Sequence, residues 1–281
     1  MYKFFLILLF FTTLAYSARV YSANDSLYFF TSNTLFAPTE TSIIESKIGV
    51  TKYTDDDNLK LDIGVSIDLL GLKRKTITYS FGVDFFTFSN LRSESNFKFP
   101  VDAIDYMFGI NFNFKKHLSK KTDLAGRFRV SHISSHLEDG HIYENTDTIF
   151  TPYVFSKEFL DFAAVADYNL AKNFYLKSLL ALNLIFHSIP EDAKGISLQL
   201  GIEFKYYLTE FFSLYISDNL GLASVNSDSG LNNNFETGVA LGMLNTRSVL
   251  LYFTVYDGQD YRGQYYGNYL NNTGLGLRFK F

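Results

Sequence analysis

Cysteine and tryptophan are absent from the 281 residues. A chain without thiols needs no redox protection, which suits an oxidising envelope, and it holds no Cys-based metal or redox centre. Basic charge is not in excess either. Twenty-five Lys and Arg face 29 Asp and Glu, a net charge of −4, so no basic patch argues for a nucleic-acid partner. No Gly-rich phosphate loop is present. Beyond the N-terminus, no apolar run approaches the ~20 residues of a membrane-spanning helix. What is abundant is aromatic: 30 Phe and 20 Tyr. A single domain of this length points to a barrel or a large β-fold.

The first residues read as a signal peptide. Lys3 supplies a short positive region, and residues 4–14 an apolar one too short to span a bilayer as an anchor. Ala15-Tyr16-Ser17 and Val20-Tyr21-Ser22 are both candidate cleavage sites. No Cys lies near either, so a lipid-anchored N-terminus is not expected. The organisation expected is a signal peptide over 1–22, cleaved near 17–23, an N-terminal periplasmic segment over 23–43, and a barrel over 44–281.

The body of the chain alternates apolar and polar residues. Leu59, Leu61, Ile63, Val65, Ile67 and Leu69 share one strand face, and Lys60, Asp62, Gly64, Ser66 and Asp68 the other. The same pattern recurs in Tyr106, Phe108, Ile110, Phe112 and Phe114, and again in Ile196, Leu198, Leu200, Ile202, Phe204 and Tyr206. Soluble sandwiches alternate too, but three features favour a membrane barrel. The strands are longer than the five or six residues usual in soluble sheets and reach the nine to eleven a tilted spanning strand needs. The polar face carries charges and Gly in mid-strand. Short and long connections alternate, as short periplasmic turns and longer outer loops do.

Twelve antiparallel strands are expected, near 44–53, 59–70, 76–88, 104–115, 122–135, 153–168, 174–186, 196–208, 211–223, 234–244, 248–257 and 267–281. An even count would leave both termini in the periplasm. Connections at 71–75, 116–121, 169–173, 209–210 and 245–247 should be tight, and those at 88–103, 136–152, 187–195, 223–233 and 257–266 long.

The inward parity holds Asp62, Asp68, Asp84, Asp105, Arg127, Arg129, Lys177, Glu203, Lys205, Glu236, Arg278 and Lys280. Buried charges are tolerated when paired, so mixed signs favour a narrow or plugged lumen over a pore lined by one sign.

One constellation suggests chemistry. In Arg127-Phe128-Arg129-Val130-Ser131-His132-Ile133-Ser134-Ser135-His136, the outward parity of Phe128 and Val130 continues to His132, Ser134 and His136 if no bulge intervenes. A His and a Ser two apart on one strand face are about 7 Å apart, within reach of an imidazole–hydroxyl contact. That pair is the minimum for a base-activated nucleophile. A hairpin symmetric about 144 or 145 would set Glu158 beside His132 as the orienting carboxylate. Asn145 and Asp147 are alternatives for that role, and Ser135 and His136 are further candidates. A bulge at Ser131 would instead turn the pair into an inward cluster with Arg127 and Arg129. His132, His136 and His141 with Glu138 and Asp139 could bind a metal, but the spacing specifies no geometry. The sequence leaves the cofactor unknown.

His132-Ile133-Ser134 resembles the His-x-Ser core of two families of barrel enzymes, the outer-membrane phospholipase A and the lipid A deacylases. That resemblance implies acyl hydrolysis at the outer leaflet, with membrane lipid as substrate. In both families Asn follows the Ser, whereas here Ser135 does. Gly274, Gly276, Phe279 and Phe281, in Gly274-Leu275-Gly276-Leu277-Arg278-Phe279-Lys280-Phe281, resemble the signal read by the outer-membrane assembly machinery, which implies that partner. The run from His132 to Leu137, Phe155-Ser156-Lys157-Glu158 and Arg262-Gly263-Gln264-Tyr265-Tyr266 together resemble a family of bacterial envelope proteins known as a domain of unknown function. That family implies an outer-membrane barrel and no activity. Lipid-active enzyme, solute pore and structural surface protein are therefore the three competing functions.

Overall fold

The computed structural model describes residues 25–31, 33–55, 57–137, 154–193, 195–225, 228–243 and 247–281. They form thirteen strands: β1 (Ser26–Thr31), β2 (Ile48–Tyr53), β3 (Asn58–Arg74), β4 (Ile77–Arg92), β5 (Val101–Ser119), β6 (Thr122–Leu137), β7 (Phe155–Ala171), β8 (Phe174–Ile189), β9 (Gly195–Tyr207), β10 (Phe212–Val225), β11 (Asp228–Met243), β12 (Arg247–Gln259) and β13 (Tyr269–Lys280). Strands β2 to β13 pair antiparallel in chain order, and β13 returns to β2, closing a twelve-stranded barrel. Among the described residues no helix is long and apolar enough to cross a membrane.

Burial is inverted relative to a soluble protein. On β3, Ile63 is 49% exposed and the neighbouring Asp62 only 7%. Phe85, Phe108, Ile110, Phe112 and Leu200 also face outward, while Asp84, Asp105, Arg129, Glu203 and Glu236 are buried inside. An apolar exterior around a charged interior fits lipid, because water outside would leave the apolar face unburied. A bulge between Asp68 and Leu70 reverses the parity of β3, so Leu69 ends the outward series and Gly71 faces inward. There the ring of Tyr28 fills the space: a Cβ on Gly71 would lie 1.8 Å from its Cζ.

The twelve-strand closure agrees with the alternation in the sequence, but several boundaries move. β10 and β11 pair as far as Val225 with Asp228, so the long connection expected at 223–233 is a tight one. β4 likewise runs on to Arg92. Past the apolar belt a strand faces water on both sides, so its apolar pattern stops before its hydrogen-bond ladder does.

The N-terminal stretch expected at 23–43 divides in two. β1 pairs with the lower part of β3, from Ser26 with Lys73 to Thr31 with Asp68. β2 pairs with the upper part of the same strand, from Ile48 with Ile63 to Lys52 with Leu59. The two are collinear pieces of one wall strand. Between them the chain leaves the wall and occupies the lumen. Phe36 is buried against Ala125, Ala163, Val165, Leu179 and Ala181, an inward apolar set whose three alanines leave room for its ring. Arg127 stacks over that ring at 4.3 Å. Thr41 meets Ser217 at 3.0 Å, and Ser46 meets Ser66 at 2.8 Å.

Many charges inside the barrel are paired, several of them through this segment, while the buried Asp68 and Asp105 accept from neutral donors. Arg127 donates to Glu45 at 2.8 and 2.6 Å and to Asp161 at 3.0 and 2.8 Å. Arg278 donates to both oxygens of Glu236 at 2.9 Å and to Glu40 at 3.2 Å. Lys205 bridges to Glu203 at 2.7 Å. Lys280 also pairs with Glu40. Burial alone would raise the Glu40 carboxyl, but Lys280, Lys205 and Arg278 together hold it well below the usual carboxylate range.

Candidate active site on the outward wall

β6 pairs with β7 without a register shift from Thr122 with Tyr168 to Ser135 with Phe155. No bulge interrupts the parity at Ser131. Ser131, Ile133 and Ser135 are buried on the inner side, and His132, Ser134 and His136 share the outward side. His132 lies directly opposite Glu158, and Ser134 opposite Ser156, as a hairpin centred on residue 145 requires.

The His132 side chain is 42% exposed, and its Nδ1 lies 2.7 Å from Glu158 Oε1. A carboxylate only accepts, so Nδ1 carries the proton in this contact and a neutral ring keeps Nε2 free as a base. Among the described residues His132 and Ser134 form no hydrogen bond with each other. They stand two positions apart on one face, about 7 Å along the strand, where a rotamer change can bring Nε2 to the hydroxyl.

The second oxygen of Glu158 is held by Nδ1 of His187 on β8. His187 is not among the residues that the alternation singles out, although its position is legible in the chain. A tight β7–β8 turn at 172–173 sets 187 opposite 158, and the structure pairs them. Just before His187 a bulge leaves Phe186 without a partner in the ladder, and its ring is exposed.

Below His132 the outward wall carries a shallow depression of about 540 Å³, lined by Phe85, Phe108, Ile110, Val130 and Phe186 with His132 and Glu158 at its rim. Its lining is nearly all apolar, so it suits a hydrocarbon chain rather than a polar solute.

The other candidates are elsewhere. Ser135 faces the lumen, where the buried Gln264 amide donates to its carbonyl at 3.4 Å. His136 stacks edge-on against Tyr106 at 5.6 Å. Asn145 and Asp147, with His141, Glu138 and Asp139, lie outside the described residues. Among the described residues no group of three His, Cys, Asp or Glu could hold a metal ion. On β13, Gly274 and Gly276 face inward, the latter beneath the Tyr252 ring, while Phe279 and Phe281 stack outward at 6.5 Å.

A family model described as "Protein of unknown function (DUF1207)" matches residues 75–281. No curated protein matches the chain. Several solved barrels do. The outer membrane phospholipase A of Escherichia coli superposes with a TM-score of 0.53 at 14% identity, over 84% of this chain and 96% of that one. Its active-site mutant gives 0.54 at 13%, over 87% and 93%. The Salmonella typhi outer membrane phospholipase, a dimer with bound calcium, gives 0.52 at 14%, over 84% and 91%. At these identities the likeness is one of fold: a twelve-stranded barrel of the bacterial outer-membrane type.

Proposed function

The chain belongs to the DUF1207 family, whose function is unknown, and on that premise we propose that it is a lipid-acyl hydrolase working from the outer face of an outer-membrane barrel. The observation that carries this reading is the contact of His132 Nδ1 with Glu158, outward on the wall beside Ser134. Ser134 is the nucleophile, His132 its base, and Glu158 a positioning residue that fixes the imidazole tautomer. His187 holds the far oxygen of Glu158 and limits its rotation.

The substrate is an ester of a membrane lipid whose chain lies in the depression beneath His132. Ser134 Oγ attacks the ester carbonyl and its proton passes to His132 Nε2. The tetrahedral adduct expels the alcohol, which takes that proton. Water then attacks the acyl-serine, with His132 again accepting and returning a proton, and fatty acid and free Ser134 result. Charge at Glu158 is tolerable because the site sits at the outer end of the strands, away from the bilayer centre. A pore is the weaker reading, since residues 33–47 and paired charges occupy the lumen.

In the same reading residues 1–22 direct export, the terminal strand with Gly274, Gly276, Phe279 and Phe281 engages the assembly machinery, and both termini face the periplasm. The test is purified protein in detergent with phospholipid and lipopolysaccharide, followed by fatty-acid release and by labelling with a sulfonyl fluoride. Wild type should release fatty acid and label at Ser134. Ser134→Ala and His132→Ala should lose turnover by orders of magnitude at unchanged unfolding temperature. Equal release by wild type and Ser134→Ala removes the proposal.

A further inference from the structure

The luminal segment divides the interior, and the part above it is chemically unlike the rest. A cavity of about 190 Å³ rests on residues 41–45 and is walled by the inward faces of β8 to β12. Its walls combine a run of neutral amides with the charged groups of Glu45, Arg129, Lys157, Asp161 and Asp260. Two amides belong to the frame. Asn234 donates to the Thr41 carbonyl at 2.5 Å, and Asn232 accepts from the Gln259 backbone at 2.7 Å.

Three others have unused capacity. Asn219 is 3% exposed, and its Oδ1 is buried without a hydrogen-bond partner. Its Nδ2 makes only long contacts, 3.4 Å to Thr39 and 3.3 Å to Ser42. Asn183 and Gln199 also line the cavity, and among the described residues their amides make no hydrogen bond. A buried orphan acceptor in a native structure calls for a partner, supplied by water or by a ligand.

Tyr256 and Tyr266 bring aromatic surface to the same space. Gln259 donates to the Tyr266 carbonyl at 2.8 Å, and the Tyr266 hydroxyl donates to Asp192 at 2.7 Å. That last contact ties the connection 260–268 to residues 190–193. The charged groups of the lining are engaged: Arg129 with Glu45 at 3.4 Å and with Asp161 at 3.6 Å, Asp260 with Arg262, and Lys157 above the Phe155 ring at 6.0 Å.

We propose that this chamber binds a neutral polyhydroxylated ligand, a single sugar ring. Each hydroxyl both donates and accepts, and so does each amide, whereas the arginine and the carboxylates of the wall are already committed to one another or to Arg262. Tyr rings offer apolar faces to the C–H side of a sugar. The volume of about 190 Å³ accommodates one sugar ring. The site is independent of the outward His132 face and holds whether or not that face is catalytic.

The experiment uses the full chain in a detergent without a sugar headgroup. Methyl glucoside and methyl galactoside are titrated by saturation-transfer NMR and calorimetry, with sodium phosphate and sodium acetate as anionic probes. Saturable binding of at least one glycoside is expected, weakened at least tenfold in Asn183→Leu and in Gln199→Leu. These half-buried positions touch no residue of the luminal segment through a hydrogen bond, so both variants should fold, as heat-dependent gel mobility will show. Absence of saturable glycoside binding, binding unaffected by both Leu variants, or binding of the anions alone would each overturn the proposal.

Discussion

Removing Glu45 should release the luminal segment. Its carboxylate accepts from Arg127 at 2.8 and 2.6 Å and from Arg129 at 3.4 Å, inside the barrel. Breaking a buried ion pair costs about 3–5 kcal/mol, because the remaining charge is left without its partner. Asp161 still holds Arg127 through two contacts, so the lower end applies, about 3 kcal/mol for Glu45→Ala. At 1.4 kcal/mol per decade this raises the undocked fraction about a hundredfold. The chain has no cysteine, which makes the assay clean. A single Ser42→Cys, buried at the centre of the segment, reports undocking by its rate of reaction with a maleimide. In the Glu45→Ala background that rate should rise about a hundredfold, and bilayer recordings should show a matching rise in open time. Equal labelling rates in the two backgrounds would refute the assignment of Glu45 as the anchor. Steady conductance through wild type would refute the stronger claim that the segment occludes the barrel.

Four further outcomes are expected. Glu158→Ala should lower fatty-acid release by about 10²–10⁴, because it frees the His132 tautomer, and His187→Ala by less than tenfold, both read from initial rates. Glu40 has a depressed folded-state pKa, so its contribution to docking is complete above the ordinary carboxylate range and is lost as pH falls through the folded value; labelling of Ser42→Cys, normalised at each pH to the same thiol in the unfolded chain because only the thiolate reacts, should speed up on the acid side only. Gly71→Ala should displace Tyr28 and loosen β1, costing about 1–3 kcal/mol and exposing residues 25–31 to limited proteolysis. Deletion of Phe281 should slow assembly in cells and leave the folded barrel's heat-dependent gel mobility unchanged.

The barrel was legible because its rule is local. A strand that faces lipid outside and charge inside must alternate, and Ile63 against Asp62 shows the rule at single-residue scale. The outward direction of His132 followed from the same parity, carried from Phe128 through Val130. What escaped the alternation was whatever left the wall. Residues 33–47 have no period because each finds a different luminal neighbour: Phe36 an apolar set of three alanines with Val165 and Leu179, Glu40 three cations, Glu45 two arginines. The presence of β1 was hidden for a related reason. It has only six residues and pairs with the lower part of β3, so no hairpin announces it. His187 was recoverable by counting through the β7–β8 turn, whereas the Asp68–Leu70 bulge that reverses β3 leaves no mark in composition.

The segment that fills the lumen is fastened at both ends to one strand, through Thr31 with Asp68 and Ile48 with Ile63. A plug joined by a single linker can swing clear or be cleaved away. This one is a closed loop of about sixteen residues, and bringing the ends of such a loop together costs only about 2.5 kcal/mol of chain entropy. After any release it therefore stands opposite its own site at an effective concentration in the millimolar range. Redocking is unimolecular, needs no partner, and does not weaken when the protein is diluted. Any opening is brief unless something occupies the vacated space or a protease cuts between residues 32 and 47, and such a cut would turn a self-resetting closure into a permanent change of state.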